Sequence, residues 1–125
     1  MEEESKKSVL KQIRGHLRDK GFDTFYPSQH KGECLKPYVV IKYDGASQVA
    51  GISSDQAIYT LMCYVPSEQY STLMSYVEQV KETMKELFPL VRPNGNETSS
   101  IYEDDNKSHM VSVQYTNYRK INYWR

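Results

Sequence analysis

The sequence predicts an α+β fold: a mostly antiparallel sheet with helices packed on one face, two layers deep, in the order α-β-β-β-α-β-β. Three observations carry it. Two segments place apolar residues at three- and four-residue steps, several others alternate at the strand period of two, and glycine- or proline-bearing turns separate them so that consecutive strands can fold back on one another. At 125 residues the whole chain, 1–125, suits a single domain with a modest core between a sheet and one or two helices. No internal repeat or low-complexity tract interrupts it.

The first element is a helix. Val9, Leu10, Ile13 and Leu17 form its apolar stripe, Ser5 stands where an N-cap is wanted, and Gly21 follows where a left-handed residue ends a helix. Phe22-Asp23-Thr24-Phe25-Tyr26 then alternates as a short strand before Pro27, and 28–36 has the composition of a loop. Tyr38-Val39-Val40-Ile41-Lys42-Tyr43 is dense in β-branched and aromatic residues, bounded by Pro37 and by the turn-forming pair Asp44-Gly45. Asp55 to Pro66 alternates, with Ala57, Tyr59, Leu61, Cys63 and Val65 on one face and Ile58, Thr60, Met62 and Tyr64 on the other. Both faces carry bulk, as expected for a central strand. The connection Ala46 to Ser54 is long for a plain hairpin and is a candidate interaction arm.

A second helix follows. Tyr70, Leu73, Met74, Val77, Val80, Met84, Leu87 and Phe88 form one stripe that reads as core, with Ser67 as N-cap and Pro89 ending the helix at Phe88. After the turn-rich Arg92-Pro93-Asn94-Gly95-Asn96, the segments Thr98 to Glu103 and His109 to Tyr118 flank Asp104-Asp105-Asn106-Lys107 as a hairpin. Val111, Val113 and Tyr115 share one face of its second strand.

Composition excludes several classes. Sixteen basic and 16 acidic residues cancel to zero net charge, so no strong field draws the molecule onto nucleic acid or an anionic membrane. The longest weakly charged stretch, Gly45 to Cys63, is too polar to span a bilayer, and the acidic Glu2-Glu3-Glu4 is the opposite of a signal peptide's basic start. A cytoplasmic protein is expected. Cys34 and Cys63 lack CxxC or histidine partners at ligand spacing, which points to no metal; the sequence leaves a disulfide open, with two reduced thiols the expectation for a cytoplasmic chain.

The search for chemistry gives no constellation. His16, His30 and His109 fall on a helix, a loop and a strand start, with no nucleophile motif beside them. Asp104 and Asp105 are adjacent in a tight turn, where side chains point apart and bond the turn itself. Neither a phosphate loop nor a dinucleotide fingerprint is present. The expectation is a protein that is not an enzyme and holds no cofactor. Tyrosine, at 11 residues against 3 phenylalanines, is the outstanding feature: its apolar body and polar tip suit a surface that a neighbour covers. Tyr115, Tyr118, Tyr123 and Trp124 beside Arg119, Lys120 and Arg125 have a hot-spot composition. The rival use of such residues, base stacking, lacks the glycine and basic signature of the common RNA-binding sheet.

The order of a helix, the strand Pro37-Tyr38-Val39-Val40-Ile41, a glycine-bearing connection, the strand Asp55 to Pro66, a helix of about twenty residues and a closing hairpin that ends Val111-Ser112-Val113-Gln114-Tyr115 resembles the lambda-type tail-terminator (tail-completion) family of long-tailed phages. The resemblance covers nearly the whole chain and is one of pattern and length. It implies a structural virion or tail protein: a ring, expected to be a hexamer, that caps the tail tube, stops its elongation and presents the head-joining surface. The implied partners are other copies of the chain, tail-tube protein, head–tail connector proteins and, in a contractile particle or tail-like bacteriocin, sheath protein, with no membrane and no specific nucleic acid. The implied location is the host cytoplasm during assembly and then the head-proximal tail end of the particle. Ring closure needs two different patches on each subunit, and the candidates are Ser47, Gln48, Val49 and Ile52 in the long connection and Tyr118, Arg119, Tyr123 and Trp124 at the C-terminus. Another head–tail connector subunit, or a small phage-encoded binding module acting on a host protein or nucleic acid, is the alternative.

Overall fold

A computed structural model of the protein describes residues 2–48 and 54–120. It contains helix α1 (Glu2–Asp19), strands β1 (Thr24–Phe25), β2 (Tyr38–Gln48) and β3 (Ser54–Pro66), a 3-10 turn (Ser67–Thr72), helix α2 (Leu73–Lys85), and strands β4 (Arg92–Glu97), β5 (Ile101–Glu103) and β6 (Ser108–Lys120). The strands form one sheet in the order β1-β2-β3-β6-β4, with β5 also on β6. All pairings are antiparallel except β1 with β2. The fold is therefore the α+β arrangement read from the sequence, with a parallel edge.

Both helices lie on one face. Val9, Ile13 and Leu17 of α1 and Leu73, Val77, Val80 and Met84 of α2 share a buried cluster with Val39, Ile41, Ala57, Tyr59, Leu61, Cys63, Val65, Val111, Val113 and Tyr115. The β3 and β6 residues in that cluster are the face that alternation selects. The other face carries a smaller cluster of Cys34, Tyr38, Tyr64 and Met110. The loop between β1 and β2 supplies Cys34 to it, and that excursion over the helix-free face lets two consecutive strands run parallel.

Several local expectations are corrected. Helix α1 begins at Glu2, so Ser5 lies inside it instead of capping it. Its other end is as expected: Gly21 has φ +94°, its N–H donates to Arg18 O at 3.0 Å, and Phe22 N–H donates to Leu17 O at 3.0 Å. Those two bonds close a Schellman motif.

Asp44-Gly45 does not end β2. The register shifts by one residue between Tyr43 and Ala46, Gly45 takes φ +97°, and the strand runs on as a bulge. Ser47 and Gln48 are consequently strand residues, and Ser54 opens β3. Helix α2 is shorter than expected. Pro66 takes the cap position of the preceding 3-10 turn, and Ser67 Oγ donates to the Glu68 carboxylate at 3.4 Å. Its stripe is also narrower, because only residues at steps of three and four from Leu73 reach the sheet. Leu73, Val77, Val80 and Met84 are buried while Tyr70, Met74 and Phe88 are exposed. Finally, the turn-rich segment from Arg92 pairs with β6 as an irregular edge strand, its register shifting between Pro93 and Glu97. An edge strand tolerates Pro93 and the positive φ of Gly95 where a central one would not.

Candidate functional site

The two sequence-selected patches converge at one end of the sheet. Ser47 pairs with Gln56 and Gln56 with Tyr118; Gln48 pairs with Asp55 and Asp55 with Arg119. Ser47, Gln48, Tyr118 and Arg119 thus occupy two successive rungs of a three-stranded ladder, β2-β3-β6. Val49, Ile52, Tyr123 and Trp124 lie outside the described residues. Beyond Val40 no strand flanks β2 on its outer side, and beyond Thr116 none flanks β6, among the described residues. Among the described residues the end of the ladder is therefore an arm with no strand on the outer side of β2 or of β6.

Beside the arm lies a cationic and aromatic patch that sequence reasoning missed. The Arg92 guanidinium carbon stands 5.3 Å from the Tyr118 ring centroid and 5.4 Å from that of Phe88, within range of a cation–π contact. Phe88 is 63% exposed and Tyr118 48%. Phe88 falls on a helical stripe whose periodicity predicts core, and Arg92 lies in a segment whose composition predicts a turn. Tyr115, grouped with Tyr118 by sequence, is buried on the helix-covered face instead.

Across the helix-free face runs a polar row. Lys42 Nζ pairs with Asp44 Oδ1 at 3.2 Å, and Thr60 Oγ1 donates to Asp44 Oδ2. Gln114 Nε2 donates to Thr60 Oγ1 at 3.4 Å. Gln114 Oε1 in turn accepts from Asn94 Nδ2 and Asn96 Nδ2 at 3.0 and 3.1 Å. Lys42, Thr60 and Gln114 are direct cross-strand neighbours, and the bulged β4 folds its two asparagines over the last of them. These side-chain contacts link β2, β3, β6 and β4 across the sheet just before β2, β3 and β6 continue into the arm.

The histidines are accounted for by packing. His16 Nε2 lies 3.1 Å from Thr83 O and 2.9 Å from Glu86 Oε1, joining α1 to the end of α2. His30 stacks on Tyr38 with centroids 3.9 Å apart, and Tyr38 on Tyr64 at 4.7 Å. His109 lies edge-on to Tyr70 and beside Tyr102. Among the described residues no histidine sits with a nucleophile and an orienting group in the order that acyl transfer or hydrolysis requires. Among the described residues no three His, Cys, Asp or Glu side chains cluster closely enough to hold a metal ion. Asp104 and Asp105 are exposed turn residues.

Both cysteines are free and buried. Burial pushes the Cys34 thiol up to about 11 and the Cys63 thiol up to about 12. It pushes the Tyr38 and Tyr64 phenols up to about 12. In the unfolded chain the thiols ionise near 9.0, so between that pH and the folded values the unfolded state releases protons that the native state keeps. Stability from these groups is complete below about pH 9 and falls as pH rises toward 11 or 12, each unit of separation being worth about 1.4 kcal/mol. Urea midpoints measured across that range are expected to drop steeply above about pH 9.5, and both thiols are expected to resist a thiol reagent at pH 8 until the chain unfolds. A flat midpoint through that range would contradict the assignment.

Among the described residues no helix is long and apolar enough to cross a membrane. Comparison with protein-family models and with curated proteins gives no match.

Proposed function

We propose that the protein is a structural subunit that assembles with copies of itself into a closed ring, in the manner of a phage tail terminator that caps the tail tube and offers a surface to the head. The observation that carries this reading is the arm: two segments selected by sequence as contact patches stand on successive rungs of one ladder, with an exposed cationic and aromatic patch beside them. Unpaired strand edges and arginine flanked by aromatic rings are features that proteins use for assembly.

Two different edges on one chain favour a heterologous contact, which closes into a ring when the rotation between copies divides a full turn. Light scattering during gel filtration over a range of concentrations, with negative-stain electron microscopy of the large species, tests the proposal. The expected result is a discrete species of about six copies seen as rings. A particle that remains a monomer, or stops at a two-fold dimer, at every concentration would overturn it.

A further inference from the structure

We propose that neighbouring copies join by parallel β-pairing, the outer edge of β6 in one copy adding to the outer edge of β2 in the next, so that the ring's contact is a continuous sheet. This rests on the ring-subunit reading above. The donors on each edge follow from two hydrogen bonds. Val39 N–H donates outward to Asp23 O at 2.8 Å, and along β2 the same direction recurs at every second residue, at Ile41 and Tyr43. The bulge inserts one residue, after which Ala46 and Gln48 again aim outward. Ser112 N–H donates outward to Thr98 Oγ1 at 3.0 Å, so Gln114, Thr116, Tyr118 and Lys120 point the same way, β6 having no register shift against β3. Ala46 and Gln48 on one side, and Tyr118 and Lys120 on the other, present main-chain donors within one rung of each other along the ladder, where no strand among the described residues takes them up.

The direction of the seam follows from strand parity. β2 and β6 both run antiparallel to β3, so they run parallel to each other. A rotation about an axis along the arm preserves strand direction, so β6 meets the next β2 in parallel. A two-fold axis would instead pair β2 with β2 or β6 with β6, antiparallel, and would stop at a dimer.

Charge argues for the second copy as occupant and against the β6 two-fold. β6 ends in Arg119 and Lys120, and a two-fold there would set like charges across one short ladder. The stretch Ala46-Ser47-Gln48 is uncharged and meets that basic end without repulsion.

Proline blocks an edge without breaking the inner ladder when it replaces a residue whose N–H points outward. Ala46→Pro closes the β2 edge and Tyr118→Pro closes the β6 edge. Each variant is first checked by far-UV circular dichroism and a cooperative melt; Gln48→Pro replaces Ala46→Pro, and Lys120→Pro replaces Tyr118→Pro, should either fail. Light scattering is expected to show wild type as rings, each folded variant alone as a monomer, and the two mixed as a one-to-one heterodimer, since one open edge of each kind remains. Wild-type rings that persist in a folded single variant would overturn the seam while leaving the ring reading standing. Homodimers of Tyr118→Pro would overturn it in favour of a β2 two-fold. A wild type without rings would overturn both.

Discussion

Leu61→Ala is expected to lower the unfolding free energy by about 2–5 kcal/mol, the range for truncating a fully buried leucine. Leu61 is wholly buried at the centre of β3. It pairs with Ile41 on one side and Val113 on the other, and all three belong to the cluster that α1 and α2 cover. Neighbours held by ladder hydrogen bonds on both flanks cannot collapse into the space, so the cavity remains and its dispersion contacts are lost. Chemical denaturation followed by circular dichroism would show the loss as a lower midpoint with an unchanged slope. Leu35→Ala is the control: the same atoms are removed from a side chain that is 76% exposed, and the change is expected to stay within about 0.5 kcal/mol. Equal effects for the two would mean that the helix-covered face is not the principal core.

The difference between those leucines was legible for a physical reason. In β3, alternation over a long run leaves one assignment in which Ala57, Tyr59, Leu61, Cys63 and Val65 all face inward, and a one-residue slip would expose every one of them. Asp44-Gly45 was not legible in the same way. A positive φ at Gly45 serves a two-residue turn and a bulge equally, and the choice is made by Ala46 and Ser47 finding Ala57 and Gln56 on the opposite strand, information that no local window contains. Helix α2 misled for a related reason. Periodicity marks which residues share a stripe, but the width of the stripe that is buried depends on the surface beneath it, and Met74 and Phe88 fall outside that surface.

The same distinction applies to the arm. Each of its two segments drew attention through its own composition, but their adjacency is created by β3, whose Gln56 and Asp55 stand between them. Arg92 reaches Tyr118 only because β4 pairs with β6 at Thr116. The polar row from Lys42 to Asn96 draws on four separate strands, and in the sequence its members are ordinary surface residues.

At the opposite end of the sheet, Asn106→Ala is expected to cost about 2–4 kcal/mol, although Asn106 sits in a turn next to two exposed aspartates. Its Nδ2 donates to Tyr38 Oη at 3.1 Å and its Oδ1 accepts from Ser108 Oγ at 2.5 Å. Ser108 is fully buried and Tyr38 is 4% exposed. Removing the amide leaves two buried hydroxyls short of a partner, each worth about 1–3 kcal/mol when unmet. The Asn106 carbonyl also accepts Cys34 N–H at 2.7 Å, which holds the β1–β2 loop over the Tyr38 and Tyr64 rings. Alanine keeps that carbonyl but loosens the turn that aims it, so the thiol of Cys34 is expected to become reactive toward a thiol reagent in the folded variant. Asp104→Ala and Asp105→Ala remove exposed carboxylates from the same turn and are expected to shift stability by no more than about 0.5 kcal/mol. Three equal and small effects would mean that the Asn106 amide does not hold the loop. One large effect beside two small ones would place the end of the sheet opposite the arm under the control of a single side chain, leaving the arm free to vary without disturbing it.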